Sequence, residues 1–209
     1  MLCDECRRYP ATMEFRRSVD GRHEIRQLCR RCAEGAVEQA EPPELFSNPR
    51  RRAGVLARLS EDAEDVMQSA ARLALEWGYD RLGAEMVLAA LAGVGGPAAE
   101  ALREASLTPE RLDLELATLL PRREVLDARE LTLTARLQTA LDLADQAARE
   151  QGLDTITPEH LLIGILQEGG SLGAQLMQDQ NLTVAQLSAR FGLKPAKRRR
   201  AGLPEQLAR

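Results

Sequence analysis

Lysine is nearly absent from this 209-residue chain, occurring only at Lys194 and Lys197. A phosphate-binding P-loop ends in a Gly-Lys step. Here Lys194 follows Leu193 and Lys197 follows Ala196, so the sequence carries no Walker-type nucleotide site. Aromatic residues make up only 3%. A large sheet would want them together with β-branched residues, whereas the Ala and Leu that dominate favour helix packed on helix. Long apolar runs are missing too. The greasiest stretch, 82–94, is interrupted by Glu85 and falls well short of the ~20 residues of a membrane span. No apolar h-region follows Met1-Leu2-Cys3-Asp4, so no secretory signal is expected and the cytoplasm is the default compartment.

What is present is charge, unevenly spread. The chain has 29% charged residues and a net charge of −4. Residues 1–37 carry +2, residues 38–193 carry −11 and residues 194–209 carry +5. An acidic body therefore lies between a cysteine-rich head and a basic tail expected to be loose. Residues 38–56, with Pro42-Pro43 and Asn48-Pro49, offer little periodicity to bury and are expected to form a linker.

All four cysteines lie in the head, as Cys3-x2-Cys6 and Cys29-x2-Cys32. Two residues between cysteines let both thiolates reach one tetrahedral ion, so two such pairs close a four-sulfur site without a vacant position. Such a site is structural and does no hydrolytic chemistry. Zn²⁺ is the expected ion. Disulfides or free thiols are the alternative, disfavoured by a reducing compartment. Four thiolates on Zn²⁺ carry −2, which Arg7, Arg8, Arg30 and Arg31 offset. Between the pairs, the alternation of residues 11–15, the turn dipeptide Asp20-Gly21 and the return over 25–28 predict a hairpin holding His23.

The rest reads as helix, and it reads twice. Leu59, Ala63, Val66, Met67, Ala70, Leu73, Ala74 and Trp77 form an apolar stripe at 3.6-residue spacing, with Ser60 as N-cap and Gly78 as stop. Trp77 is expected to pack. Further helices are expected near 84–92, 97–105 and 109–119, the last opened by Thr108-Pro109. A second stripe runs through Leu133, Leu137, Ala140, Leu141, Ala144, Ala147 and Ala148 to Gly152. At an offset of 74, Gly78 meets Gly152, Glu85 meets Glu159, Leu88 meets Leu162 and Gly95-Gly96 meets Gly169-Gly170. After a one-residue slip, Leu107-Thr108 meets Leu182-Thr183. This is a tandem duplication of a four-helix unit, over about 59–120 and 133–193. Each unit is too small to bury its stripe well alone. The expected fold is mainly α: one pseudo-twofold, eight-helix body over 57–193, preceded by a small β-hairpin metal module.

The residues of this body resemble the N-terminal repeat domain of Clp unfoldases of the ClpC and ClpA type. The likeness is carried by Leu59-Ser60 through Glu76-Trp77-Gly78-Tyr79, by 82–88 and by Ile156-Thr157-Pro158-Glu159-His160 through Leu166. Residues 1–35 resemble the N-terminal zinc module of the McsA family, through Cys3-Asp4-Glu5-Cys6, Pro10-Ala11-Thr12, Phe15, Asp20-Gly21 and Leu28-Cys29 to Cys32-Ala33. McsA proteins activate a protein-arginine kinase that works with a Clp unfoldase. The resemblance implies that Glu85 and Glu159 belong to phosphoarginine- or peptide-binding sites. A carboxylate accepts paired N–H bonds from a guanidinium group, and helix-start amides hold phosphate. Ala84 and Pro158 stand where that family has Thr, and Met86 stands where the second repeat keeps His160. Read from the residues alone, both glutamates are also ordinary first-turn carboxylates stabilised by the helix dipole.

Together these features imply a non-enzymatic adaptor or regulator of Clp-type proteolysis. Its partners would be Clp unfoldase or protease components, an adaptor or protein-arginine kinase, and substrate proteins. A nucleic-acid-binding zinc protein and a redox or metal sensor are the rival readings. The first is disfavoured by the near-neutral head, where only Tyr9 and Phe15 could stack. No enzymatic constellation is found. Gly169-Gly170-Ser171-Leu172-Gly173 fits a hydrolase nucleophile pattern but follows a predicted helix, and both histidines lie upstream.

Overall fold

A computed structural model describes residues 1–19, 22–33, 54–121, 125–126 and 131–193. The tail and most of the expected linker lie outside these residues, as does the Asp20-Gly21 turn. In the head, β1 (Met13–Val19) and β2 (Arg22–Leu28) pair antiparallel, with Met13 opposite Leu28 and Val19 opposite Arg22. The hairpin is as expected, with strands longer than the alternation suggested. A 3₁₀ turn, Gly54–Arg58, inserts Leu56 into the helical body, so this end of the expected linker already belongs to that body.

Among the described residues the body holds eight α-helices. They are α1 (Glu61–Glu76), α2 (Ala84–Val94), α3 (Gly96–Glu104), α4 (Pro109–Leu119), α5 (Ala135–Glu150), α6 (Pro158–Glu168), α7 (Leu172–Asp179) and α8 (Val184–Arg190). Two-residue strands β3 (Arg81–Leu82), β4 (Val125–Leu126) and β5 (Thr132–Leu133) punctuate them.

The duplication is visible down to single hydrogen bonds. Ser60 caps α1 by accepting from the Ala63 N–H at 3.3 Å, and Thr134 caps α5 by accepting from Leu137 at 3.3 Å. Both helices end on a glycine in the left-handed region, Gly78 at φ +77° and Gly152 at +76°. There the Tyr79 N–H reaches the Ala74 carbonyl and the Leu153 N–H reaches that of Ala148. Thr108 and Thr183 cap α4 and α8 in the same manner. The one-residue slip falls in the turn after α6. Only Gly95 separates α2 from α3, whereas Gly169, Gly170 and Ser171 separate α6 from α7.

A single apolar core joins the two repeats. Central α2 and α6 are apolar almost all round, as helices buried on every side must be. Trp77, 2% exposed, packs in this core. Among the described residues the α5–α6 contact is the most extensive helix pair, and Gly164 lies at its closest approach. A Cβ there would sit 2.2 Å from the Ala140 carbonyl oxygen, whereas the matching position of α2 is Ala90. The Gly-x-Ser-x-Gly stretch lies at an inter-helix turn, where Ser171 caps α7 by accepting from Ala174 at 3.3 Å. It forms no nucleophile elbow.

Candidate functional site

The head gathers its four cysteines. Asp4 ties the first pair to the hairpin: its N–H donates to the Gln27 carbonyl at 2.8 Å, and its carboxylate accepts from the Gln27 N–H at 2.6 Å. The second pair follows directly on β2, where the Cys32 and Ala33 N–H groups both turn back to the Cys29 carbonyl at 3.0 Å. Arg7 closes the first knuckle in the left-handed region, at φ +51°. Its N–H donates to the Cys3 carbonyl at 3.0 Å.

As a result, the sulfurs of Cys3, Cys6, Cys29 and Cys32 all lie within 4.8 Å of one another. The Cys6 and Cys29 sulfurs are 3.7 Å apart. Sulfurs bound tetrahedrally at about 2.3 Å from an ion sit about 3.8 Å from each other, so this edge has the length a shared ion requires. The four groups could hold a metal ion.

The thiols do not titrate alike. Burial works to raise Cys3, but backbone N–H groups of Cys6, Cys29 and Glu5 prevail and hold it at about 6. Cys32 is pushed up to about 12 by burial and by the neighbouring sulfurs of Cys29, Cys6 and Cys3. Four thiolates cannot crowd together uncompensated, and a divalent cation is what removes that conflict. The His23 side chain lies outside the described residues.

In the body, Glu85 and Glu159 both occupy the first turn of a central helix, α2 and α6. They are not alike. In the first repeat the N-cap is Gly83, which has no side chain to offer. The Glu85 carboxylate folds back into that space, where a Cβ on Gly83 would lie 2.0 Å from Glu85 Oε1. Burial pushes the Glu85 carboxyl above the usual range, against its own backbone N–H, which lowers it. In the second repeat the N-cap is Thr157, whose hydroxyl donates to Glu159 Oε2. The Thr157 N–H donates to His160 Nδ1 at 3.1 Å, a capping box with histidine in the role of glutamate. His160 is 1% exposed, and burial lowers its pKa against the opposing charge of Glu159.

Pseudo-symmetry places the opposite repeat beside the first of these helix starts. Gly173 of α7 approaches the start of α2 so closely that a Cβ there would be 3.1 Å from the Ala84 carbonyl oxygen. Sequence reasoning missed a further carboxylate, Glu168. Its Oε2 accepts from the Gly170 and Ser171 N–H groups at 3.1 and 2.7 Å, and its Oε1 takes Arg136 Nη1 at 3.0 Å. The signal was a glutamate three residues before a serine N-cap. The matching position in the first repeat is Val94, so the duplication did not point to it.

The family model of the Clp repeat N-terminal domain matches residues 58–180. The chain belongs to the Clp repeat N-terminal domain family. Over 123 residues it is 31% identical to the chloroplastic chaperone protein ClpC of Pisum sativum, covering 58% of this chain and 13% of that protein. Over 131 residues it is 30% identical to the negative regulator of genetic competence ClpC/MecB of Bacillus subtilis, covering 62% of this chain and 16% of that protein. The chain thus spans under a fifth of the length of these relatives.

Among solved structures, the N-domain of ClpV from Vibrio cholerae superimposes with a TM-score of 0.55 at 18% identity, over 66% of this chain and 85% of that one. The N-terminal domain of ClpD from Arabidopsis thaliana gives 0.50 at 14% identity, over 66% and 94%. These likenesses show the Clp N-domain fold. Among the described residues no single helix is long and apolar enough to cross a membrane.

Proposed function

We propose that this protein is a non-catalytic adaptor or regulator of Clp-type proteolysis in the cytoplasm. A zinc-stapled head contacts one partner and the Clp N-like body binds another. The observation that carries this reading is the juxtaposition, on one chain, of a complete double-repeat body and a four-sulfur centre. The Clp relationship supports Clp components and their substrates as the partner class; an adaptor or protein-arginine kinase is the partner we propose for the McsA-like head.

Zn²⁺ suits the sulfurs best. Soft thiolates in a closed tetrahedral set select it, and the ion supplies folding energy to a head with very little core. Cys3, Cys6, Cys29 and Cys32 would hold it.

In the body, Glu85 and Glu159 are the groups that would face a guanidinium or phosphoguanidinium ligand, with helix-start amides for the phosphate. The Glu85 site suits a cationic ligand better, because its carboxylate is partly buried beside a bare glycine. Glu159 already accepts a hydroxyl from Thr157. Calorimetric titration with phosphoarginine tests the ligand part. Heat that is abolished by Glu85→Gln and reduced less by Glu159→Gln supports it, and no heat from the unsubstituted protein ends it.

A further inference from the structure

The head is not merely tethered in sequence. Its sheet has the strand order β2-β1-β4, and β4 comes from the connector between the two repeats of the body. Phe15 pairs with Val125 and Arg16 with Leu126, in parallel. Strand β4 also lies against α1.

The connector is closed at its neck. Tyr79 Oη donates to the Pro121 carbonyl at 2.9 Å, and the Thr132 N–H donates to the Asp80 carbonyl at 3.2 Å. Pro121 and Thr132, on either side of the connector, are therefore held beside the adjacent residues Tyr79 and Asp80. Between Arg122 and Glu130 the only adjacent apolar pair is Val125-Leu126, set among charges. That pair is the one segment of the connector suited to a strand. It meets β1, whose outer edge would otherwise present unpaired N–H and C=O groups.

We infer that the cysteine head is latched onto the body by strand addition, β1 accepting Val125–Leu126 of the inter-repeat loop, and that metal bound by the four cysteines keeps this latch closed. A two-stranded hairpin alone is marginal in water. Here its base is fastened by the knuckles through the Asp4–Gln27 bonds and a Thr12 N–H to Leu28 carbonyl bond of 3.0 Å. Among the described residues, the buried cluster of the head consists of Cys3, Leu28, Cys29 and Ala33, two of them metal-ligand candidates. Removing the ion leaves that core too small to hold β1 in register, and the loop loses its partner. Metal occupancy thereby sets whether Val125–Leu126 is held on β1 or released.

The metal part of this inference rests on the zinc reading of the cysteines; the strand pairing does not. The test uses the full chain, assayed first for bound zinc and then digested with trypsin, with and without a chelator. The loop carries Arg122, Arg123 and Arg129 as cleavage sites, and Trp77, the sole tryptophan, reports on the body. Chelation is expected to speed cutting in the loop about ten-fold, with matching gain in amide exchange at Val125–Leu126 and no change in Trp77 emission. Val125→Pro is expected to speed cutting as much while zinc is retained.

Unchanged cutting on chelation of a zinc-loaded sample overturns the metal-controlled latch. A Trp77 shift that accompanies the cutting overturns it as well, because the body would then be unfolding. Purified protein without metal refutes the zinc reading and leaves the strand pairing to the proline variant, whose failure to speed cutting refutes the pairing.

Discussion

Leu59 and Ile156 form a parallel bridge that is the pseudo-twofold image of the pairing between Leu82 and Leu133. An offset of 74 carries Leu59 to Leu133 and Leu82 to Ile156, so the two contacts are one contact with the repeats exchanged. The hydrogen bonds follow suit: Ser60 N–H to Ile156 O and Thr134 N–H to Leu82 O are both 2.9 Å. Each repeat thus completes the other's edge, which is why neither closes its core alone.

Equal costs follow for equivalent residues. Leu82 and Ile156 are both fully buried. Leu82→Ala and Ile156→Ala should each destabilise the body by about 2–5 kcal/mol, with similar values for the two. Both should lower one cooperative transition followed by Trp77 fluorescence in urea. Two separate transitions would contradict the shared core.

Gly164 makes the sharpest packing test. Alanine is a better helix former by about 1 kcal/mol, yet its Cβ would collide with the Ala140 carbonyl and with Ala144. Backbone cannot yield as a flexible side chain would, so Gly164→Ala should cost about 1–3 kcal/mol net. The reciprocal change at the matching site, Ala90→Gly, should cost about 1 kcal/mol through helix propensity. Thermal melts of the two variants check both signs.

Glu85 gives the stability of the body a pH dependence of predictable sign. Its folded pKa is raised by burial, so the fold favours the protonated carboxyl. Its contribution is favourable below the unfolded carboxylate pKa and is lost as pH rises through the folded value. Glu85→Gln should therefore raise the Tm at pH 7, with the gain vanishing at acid pH. The same variant should lose ligand heat. Glu168 has the opposite sign. Burial would raise it, but bonds from Ser171, Arg136 and Gly170 lower its pKa. Its stabilisation is present above the unfolded pKa and lost as pH falls through the folded one. Glu168→Ala should cost about 1–2 kcal/mol at pH 7, seen as a lower Tm.

For the head, Cys29→Ser should abolish zinc binding measured by metal analysis while leaving the urea transition of Trp77 in place. A shift of that transition by more than about 1 kcal/mol would mean that the head stabilises the body as well as docking on it.

The helical body was legible because its two signals are periodic and repeated. Apolar stripes, Gly78 and Gly152, and threonine or serine caps at matched offsets all obey local rules, and the folded chain keeps them. The cysteine cluster was legible from the spacing of Cys3, Cys6, Cys29 and Cys32. Other features were hidden for physical reasons. Glu168 and Arg136 depend on a turn that exists in one repeat only. The division between Glu85 and Glu159 depends on Gly83 against Thr157, a difference at the N-cap rather than at the glutamates. The pairing of β1 with Val125–Leu126 joins segments far apart in sequence, through backbone groups every residue possesses. No residue pattern announces such a contact.

The central proposal is that the Clp-type repeat body serves here as a docking module for Clp-system partners. Affinity capture of the zinc-loaded full chain from native lysate, read by quantitative mass spectrometry beside the Glu85→Gln and Cys29→Ser variants, tests it most directly. Enrichment of a Clp unfoldase, a Clp adaptor or an arginine kinase, diminished by at least one of the variants, is the predicted result. Capture that enriches no such protein with zinc bound would contradict the account.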